Sequence, residues 1–182
     1  MANLFGDFVK GKNFSHLPEI VQQGVRLHRS IDSYIDHHPA ITELRQQLYT
    51  PLPKIAGIAI DIYMDHLLAR NWRNFHLVPL ENYVKDFFQF ALNTTNQSFS
   101  EPIAFTYPPE IIDLLTKIHQ GNWIVNYQTH RGLTFACTGL SRRISFPNVL
   151  AQAPQVYLIH ERQITTVFHE FMRDAKVEFG IE

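Results

Sequence analysis

The chain has 182 residues, of which 45% are hydrophobic and 18% charged, a composition that suits one self-sufficient globular domain over residues 1–182 and excludes disordered, fibrous and collagen-like classes. Sixteen Lys and Arg against seventeen Asp and Glu leave a formal charge of -1, so no global field draws the chain toward nucleic acid or an anionic membrane surface. No stretch approaches the roughly 18 consecutive apolar residues of a membrane span, and Asp7 interrupts the start before a secretory apolar run can build, so a cytoplasmic protein without membrane insertion is expected.

Prolines punctuate the chain at the starts of apolar-periodic segments, and strict alternation over strand lengths is absent, which predicts an all-α fold. The first helix is predicted from Pro18 to about Asp36, carrying Val21, Val25, Ile31 and Ile35 at helical intervals and stopping before Pro39. A short helix follows from Ala40 to Leu48. After Thr50, with Pro51 and Pro53 in its first turn, a longer helix runs toward Trp72; its Ile55, Ile58, Ile60, Ile62, Leu67 and Leu68 lie on all sides and place it centrally. Pro79 to about Leu92 keeps Tyr83, Phe87, Phe88 and Ala91 on one face, and Asn93 to Ser100 reads as a polar loop. Helices are then predicted over Pro109 to Gln120, over Trp123 to about Ala136, and over Asn148 to Phe179, where Gly180 is placed to end the chain's longest periodic run. The lone Cys137, between Phe135, Ala136 and Leu140, reads as a small core residue in a reducing compartment.

Two helices carry groups with chemical reach. His28, Asp32 and Asp36 are spaced four apart, so at roughly 100° per residue they form a slowly drifting stripe on one face. Asp61, Asp65 and His66 repeat the device among isoleucines and leucines that argue for burial, and a buried carboxylate must be paired or hold a cation. Imidazole and carboxylate without thiolate suit manganese, magnesium, iron or zinc in an open hydrolytic site. The plainer alternative is an ordinary His28–Asp32 pair, with Asp61 and Asp65 facing solvent or answering Arg29, Arg70 and Arg73. Asp7, between Gly6 and Gly11, is either part of a capping loop or a third ligand group. Arg142 and Arg143 suit phosphate contact or mark a solvated helix end. Asn122, Trp123 and Tyr127 line a groove or belong to the core. His37 and His38 are expected in a hydrated turn before Pro39, and His119, His160 and His169 in surface or core roles. Phosphate-cradling, dinucleotide and esterase glycine motifs are all missing from the sequence.

The segments GDFVKG, GVRLHRSID followed by Asp36 and Pro39, DIYMDHLLARNW, and NWIVNY with GLSRR resemble, in order and spacing, the bacterial acyl carrier protein phosphodiesterase (holo-ACP hydrolase) family. That family is a divergent branch of the HD-type metal-dependent phosphohydrolases, so the resemblance implies an orthogonal helix bundle. It also implies manganese-dependent removal of 4'-phosphopantetheine from the serine of holo-acyl carrier protein, in fatty acid biosynthesis, with Mg²⁺ or another divalent metal as the alternative cofactor. Carried over by position, Asp7, His28, Asp32, Asp65 and His66 become the metal-ligand candidates, Asp61 and Asp36 the candidate general bases, and Arg142 and Arg143 the groups that neutralise phosphoryl charge. The order Asp65-His66 reverses the His-Asp pair that names the wider superfamily. Carrier proteins are acidic, so Arg26, Arg29, Arg70, Arg73 and the Arg142–Arg143 pair are the cations for docking one. Members of the family usually begin with a further histidine-containing segment ahead of the block that here starts at Ala2-Asn3-Leu4. Two alternatives therefore stand beside this activity: an HD-type hydrolase of another phosphoester such as a nucleotide, and an inactive carrier-protein-binding homologue.

Overall fold

The computed structural model describes residues 3–95 and 107–181, and among these the regular structure is entirely helical. The α-helices are α1 (Glu19–His37), α2 (Pro39–Leu48), α3 (Ala56–Arg70), α4 (Leu80–Thr95), α5 (Pro109–Gln120), α6 (Trp123–Asn126), α7 (His130–Ser141) and α8 (Ala153–Glu178). None of the described helices is long and apolar enough to cross a membrane. The chain divides into two compact units, one of Met1–Asp36 with Glu81–Asn122 and one of His37–Leu80 with Trp123–Glu182.

In the first unit, α1 buries Val21 and Val25, four apart on one face. The α4 helix buries Val84, Phe88 and Ala91, while Tyr83 is exposed although the sequence placed it on the apolar face. That helix continues through Thr95, so the first residues of the expected loop are helical, because nothing from Asn93 to Thr95 breaks the turn; positions 96–100 lie outside the described residues. Pro109 opens α5, its missing N–H falling where no intrahelical partner exists, and Ile111 and Leu115 form its buried face. A short 3₁₀ turn over Leu4–Phe8 precedes α1, with Phe5 buried edge-on against Tyr107, ring centroids 5.6 Å apart.

In the second unit α3 is central, as expected, packing against α2, α7 and α8. It starts only at Ala56: Lys54 takes a left-handed φ of 65°, so Pro51 and Pro53 stand in turns before the helix rather than in its first turn. The single helix expected from Trp123 to Ala136 is broken into α6 and α7. A Cβ on Gly132 would fall 1.8 Å from the Asn126 carbonyl oxygen, so the two segments meet backbone to backbone, and Thr129 caps α7 by accepting from the Gly132 N–H at 3.0 Å. The last helix begins at Ala153 rather than Asn148, because the Asn148 side chain is committed to the turn: it accepts from Ser141 Oγ at 2.9 Å and from the Leu150 N–H at 3.1 Å. Gly180, at φ 61°, ends it as anticipated. Cys137 is fully buried. His37 is exposed, but the hydrated turn expected for His38 is not found. His38 is buried edge-on to Phe171 with Nε2 3.4 Å from Asp174 Oδ2, because α8 covers the start of α2.

Candidate functional site

The first unit gathers three of the candidate ligands. His28 Nε2 lies 3.1 Å from Asp7 Oδ1 and 3.2 Å from Asp32 Oδ2. The Asp32 contact follows from the helical i,i+4 spacing, whereas Asp7 arrives from the 3₁₀ turn. Gly6 makes that approach possible: a Cβ there would overlap the His28 ring at 2.4 Å, so only a bare backbone can lie against the imidazole. The His28 side chain is 17% exposed while the carboxylates of Asp7 and Asp32 are 71% and 59% exposed, so the ring is shielded and the oxygens face water. One ring nitrogen offers a single N–H, which cannot align with both oxygens. Both separations are those of ordinary hydrogen bonds or ion pairs. The donor chemistry, imidazole with two carboxylates, suits a divalent ion. As the side chains stand, no group of three or more His, Cys, Asp or Glu among the described residues is arranged to hold a metal.

The second unit gathers a different set. Asp61 and Asp65 lie one turn apart on the exposed stripe of α3, not in its core. Asp65 is exposed as a residue, yet its carboxyl is crowded by protein; that crowding, and then the Asp61 carboxylate, push its pKa up to about 6. His66 points inward and is buried. Its Nδ1 donates to the Tyr127 carbonyl at 2.6 Å, and its ring stands edge-on to Tyr157. Burial lowers its pKa, so it is neutral at pH 7, with the proton on Nδ1 and the lone pair on Nε2. Burial, and then the Asp65 carboxylate, push the Tyr127 hydroxyl up to about 12, with the Arg143 charge opposing them. Tyr127 therefore sits within electrostatic reach of both.

The remaining candidates are less gathered. Asp36 is exposed one turn beyond Asp32, and Arg142 is exposed just past the end of α7. Three of the arginines expected to dock an acidic partner are engaged within the fold. Arg26 pairs with Glu19 at 2.6 Å, Arg29 donates to the carbonyls of Val9 and Gly11, and Arg70 donates to Glu161 at 2.7 Å. The roles of Gly6 and the Tyr127 carbonyl escape sequence reasoning, since both act through backbone; the only signal was the glycine beside Asp7 and the aromatic beside Asn126.

The family model described as acyl carrier protein phosphodiesterase matches residues 1–175. An acyl carrier protein phosphodiesterase of Photorhabdus laumondii subsp. laumondii is 27% identical over 171 residues, covering 94% of this chain and 82% of the relative. Proteins of the same description from Escherichia coli (strain K12 / DH10B) and Salmonella agona are 27% and 28% identical over 143 residues, each match covering 78% of this chain and 69% of the relative. No solved structure matches.

Proposed function

The chain belongs to the acyl carrier protein phosphodiesterase family, and we propose that it hydrolyses the phosphodiester joining 4'-phosphopantetheine to a serine of holo-acyl carrier protein, releasing the apo form. The observation that carries this reading is the family match over residues 1–175, and the Asp7–His28–Asp32 group supports it as a place for the chemistry. These three residues would hold Mn²⁺, or Mg²⁺ in its place. Such a cation supplies positive charge against the phosphoryl oxygens and a more acidic water.

The chain's own residues supply the rest. In the first unit Asp36, one turn beyond Asp32, is the candidate general base; in the second unit the candidate is Asp61, whose charge, after burial, holds the neighbouring Asp65 carboxyl up to about 6. His66 keeps Nε2 as its lone pair because Nδ1 is tied to a carbonyl, the arrangement of a ligand imidazole, so His66 and Asp65 retain the ligand or supporting role the family implies. Arg143, with Arg142 beside it, offsets charge developing on phosphoryl oxygens. The carrier protein is the substrate partner, in fatty acid biosynthesis.

Turnover is tested by the mass of holo-acyl carrier protein incubated with the chain and Mn²⁺. Conversion to the apo form is expected, with kcat/KM reduced at least about 100-fold in His28→Ala and Asp32→Asn. Hydrolysis of nucleotides in preference to the carrier protein would overturn the substrate, and carrier-protein binding without turnover would overturn the enzymatic reading.

A further inference from the structure

Asp7 is carried by a five-residue 3₁₀ turn, Leu4–Phe8, whose N-cap residue Asn3 makes no side-chain capping bond. So short a turn has little stability of its own, yet it must hold a carboxylate within hydrogen-bond distance of His28. Upstream, Phe5 anchors it on Tyr107. Downstream, the structure offers one organising group. Arg29 Nη2 donates to the Val9 carbonyl at 2.9 Å and to the Gly11 carbonyl at 2.7 Å, and the guanidinium lies over the Phe14 ring, 4.9 Å from its centroid. Gly11 has a left-handed φ of 79°, which sets its carbonyl for that bond at no side-chain cost. Arg29 also follows His28 directly on α1, so the clamp and the imidazole move as one rigid piece.

We propose that Arg29 is the positioning residue that locks the Asp7 turn against His28. The proposal rests on the reading of Asp7, His28 and Asp32 as the cation-holding group. Among the described residues no carboxylate pairs with Arg29; two N–H groups of its Nη2 close a loop of backbone, and its flat face is held by the Phe14 ring. Lysine, a point charge on a flexible stem, reproduces the charge but not the paired donation with stacking.

Two measurements on the full chain test it. The first is free of metal: tryptic cleavage after Lys10 and Lys12, which flank the clamp. Cleavage is expected to be at least about tenfold faster in Arg29→Ala, and intermediate in Arg29→Lys, with far-ultraviolet circular dichroism unchanged. Should Arg29→Ala fail to fold, Arg29→Lys carries the comparison. The second is Mn²⁺ affinity by electron paramagnetic resonance. Arg29→Ala is expected to weaken it about 10–100-fold, as loss of a supporting group does, and to add nothing when combined with Asp7→Asn, because Arg29 acts only through Asp7. Unchanged cleavage overturns the proposal. So does an equal loss of Mn²⁺ affinity with and without Asp7→Asn. If Asp7→Asn and His28→Ala themselves leave Mn²⁺ affinity unchanged, the cation reading fails, and the clamp is then upheld or refuted by the cleavage rates alone.

Discussion

Replacing Gly132 with alanine sets two physical effects against each other with opposite signs. Helix propensity alone favours alanine at the third residue of α7 by up to about 1 kcal/mol. The tertiary structure opposes it: the new Cβ would stand 1.8 Å from the Asn126 carbonyl oxygen and 2.4 Å from its carbon, both backbone atoms with no rotamer to yield. Relief requires the α6–α7 junction to open by more than an ångström, at about 1–3 kcal/mol for overpacking. The same movement carries the Tyr127 carbonyl off His66 Nδ1, and an orphaned buried donor costs about 1–3 kcal/mol more. The net expectation is a loss of about 1–5 kcal/mol, which at about 2 kcal/mol per molar of urea lowers the denaturation midpoint by about 0.5–2.5 M. Gly139→Ala is the control within the same helix, since its Cβ would meet nothing within 4 Å; propensity should then act unopposed and raise the midpoint by a few tenths molar. Stabilisation of similar size in both variants would refute the claim that a backbone collision forces the break.

Three further outcomes follow from burial. The Asp65 carboxyl, raised to about 6, favours its neutral form in the folded state, so its contribution to stability is fullest below about pH 4 and is lost as pH rises through 6. In metal-free protein Asp65→Asn should therefore be more stable than wild type at pH 7, by about 1 kcal/mol once the screening of an exposed side chain is discounted, and equal to it near pH 4. Melting temperatures at the two pH values decide this, and a less stable variant at pH 7 counts against it. Tyr63 donates to the Ala153 carbonyl at 2.7 Å in the core between α3 and α8. Tyr63→Phe should thus lower stability by about 1 kcal/mol, a fall in Tm of about 2–4 °C by calorimetry. Burial pushes the Cys137 thiol up to about 12, so the folded protein should resist Ellman's reagent and react only in denaturant; labelling at comparable rates in both states would contradict its enclosure.

The helices whose limits were legible in the sequence are those with local stops: α5 runs from Pro109 to Gln120 as the proline and glycine dictate, and α2 ends at Leu48 as expected, opening one residue before the expected Ala40. Where expectation and structure part, a non-local contact is responsible. His38 reads as a hydrated turn residue until α8, more than a hundred positions later, covers it. The α6–α7 break depends on a collision between Gly132 and the Asn126 carbonyl that no periodicity encodes. For the α3 carboxylates the sequence left burial and solvent both open, and packing decided: Asp61 and Asp65 lie on an exposed stripe of the helix, with the Asp65 carboxyl still crowded by protein.

The candidate site divides along the same line. Four-residue spacing alone places Asp32 on His28, since both stand on one helix and the geometry of a helix is fixed by its backbone. Composition and motif order likewise sufficed for the all-helical fold and the family. That Asp7 comes to the same imidazole from 21 positions away, through a glycine that lets backbone touch the ring, was decided only by tertiary structure. So were the inward turn of His66 toward a carbonyl freed at a helix break and the commitment of Arg29 to backbone rather than to a partner's charge. Local periodicity determines which side chains share a face, but which backbone atoms another segment presents to that face depends on packing over the folded chain.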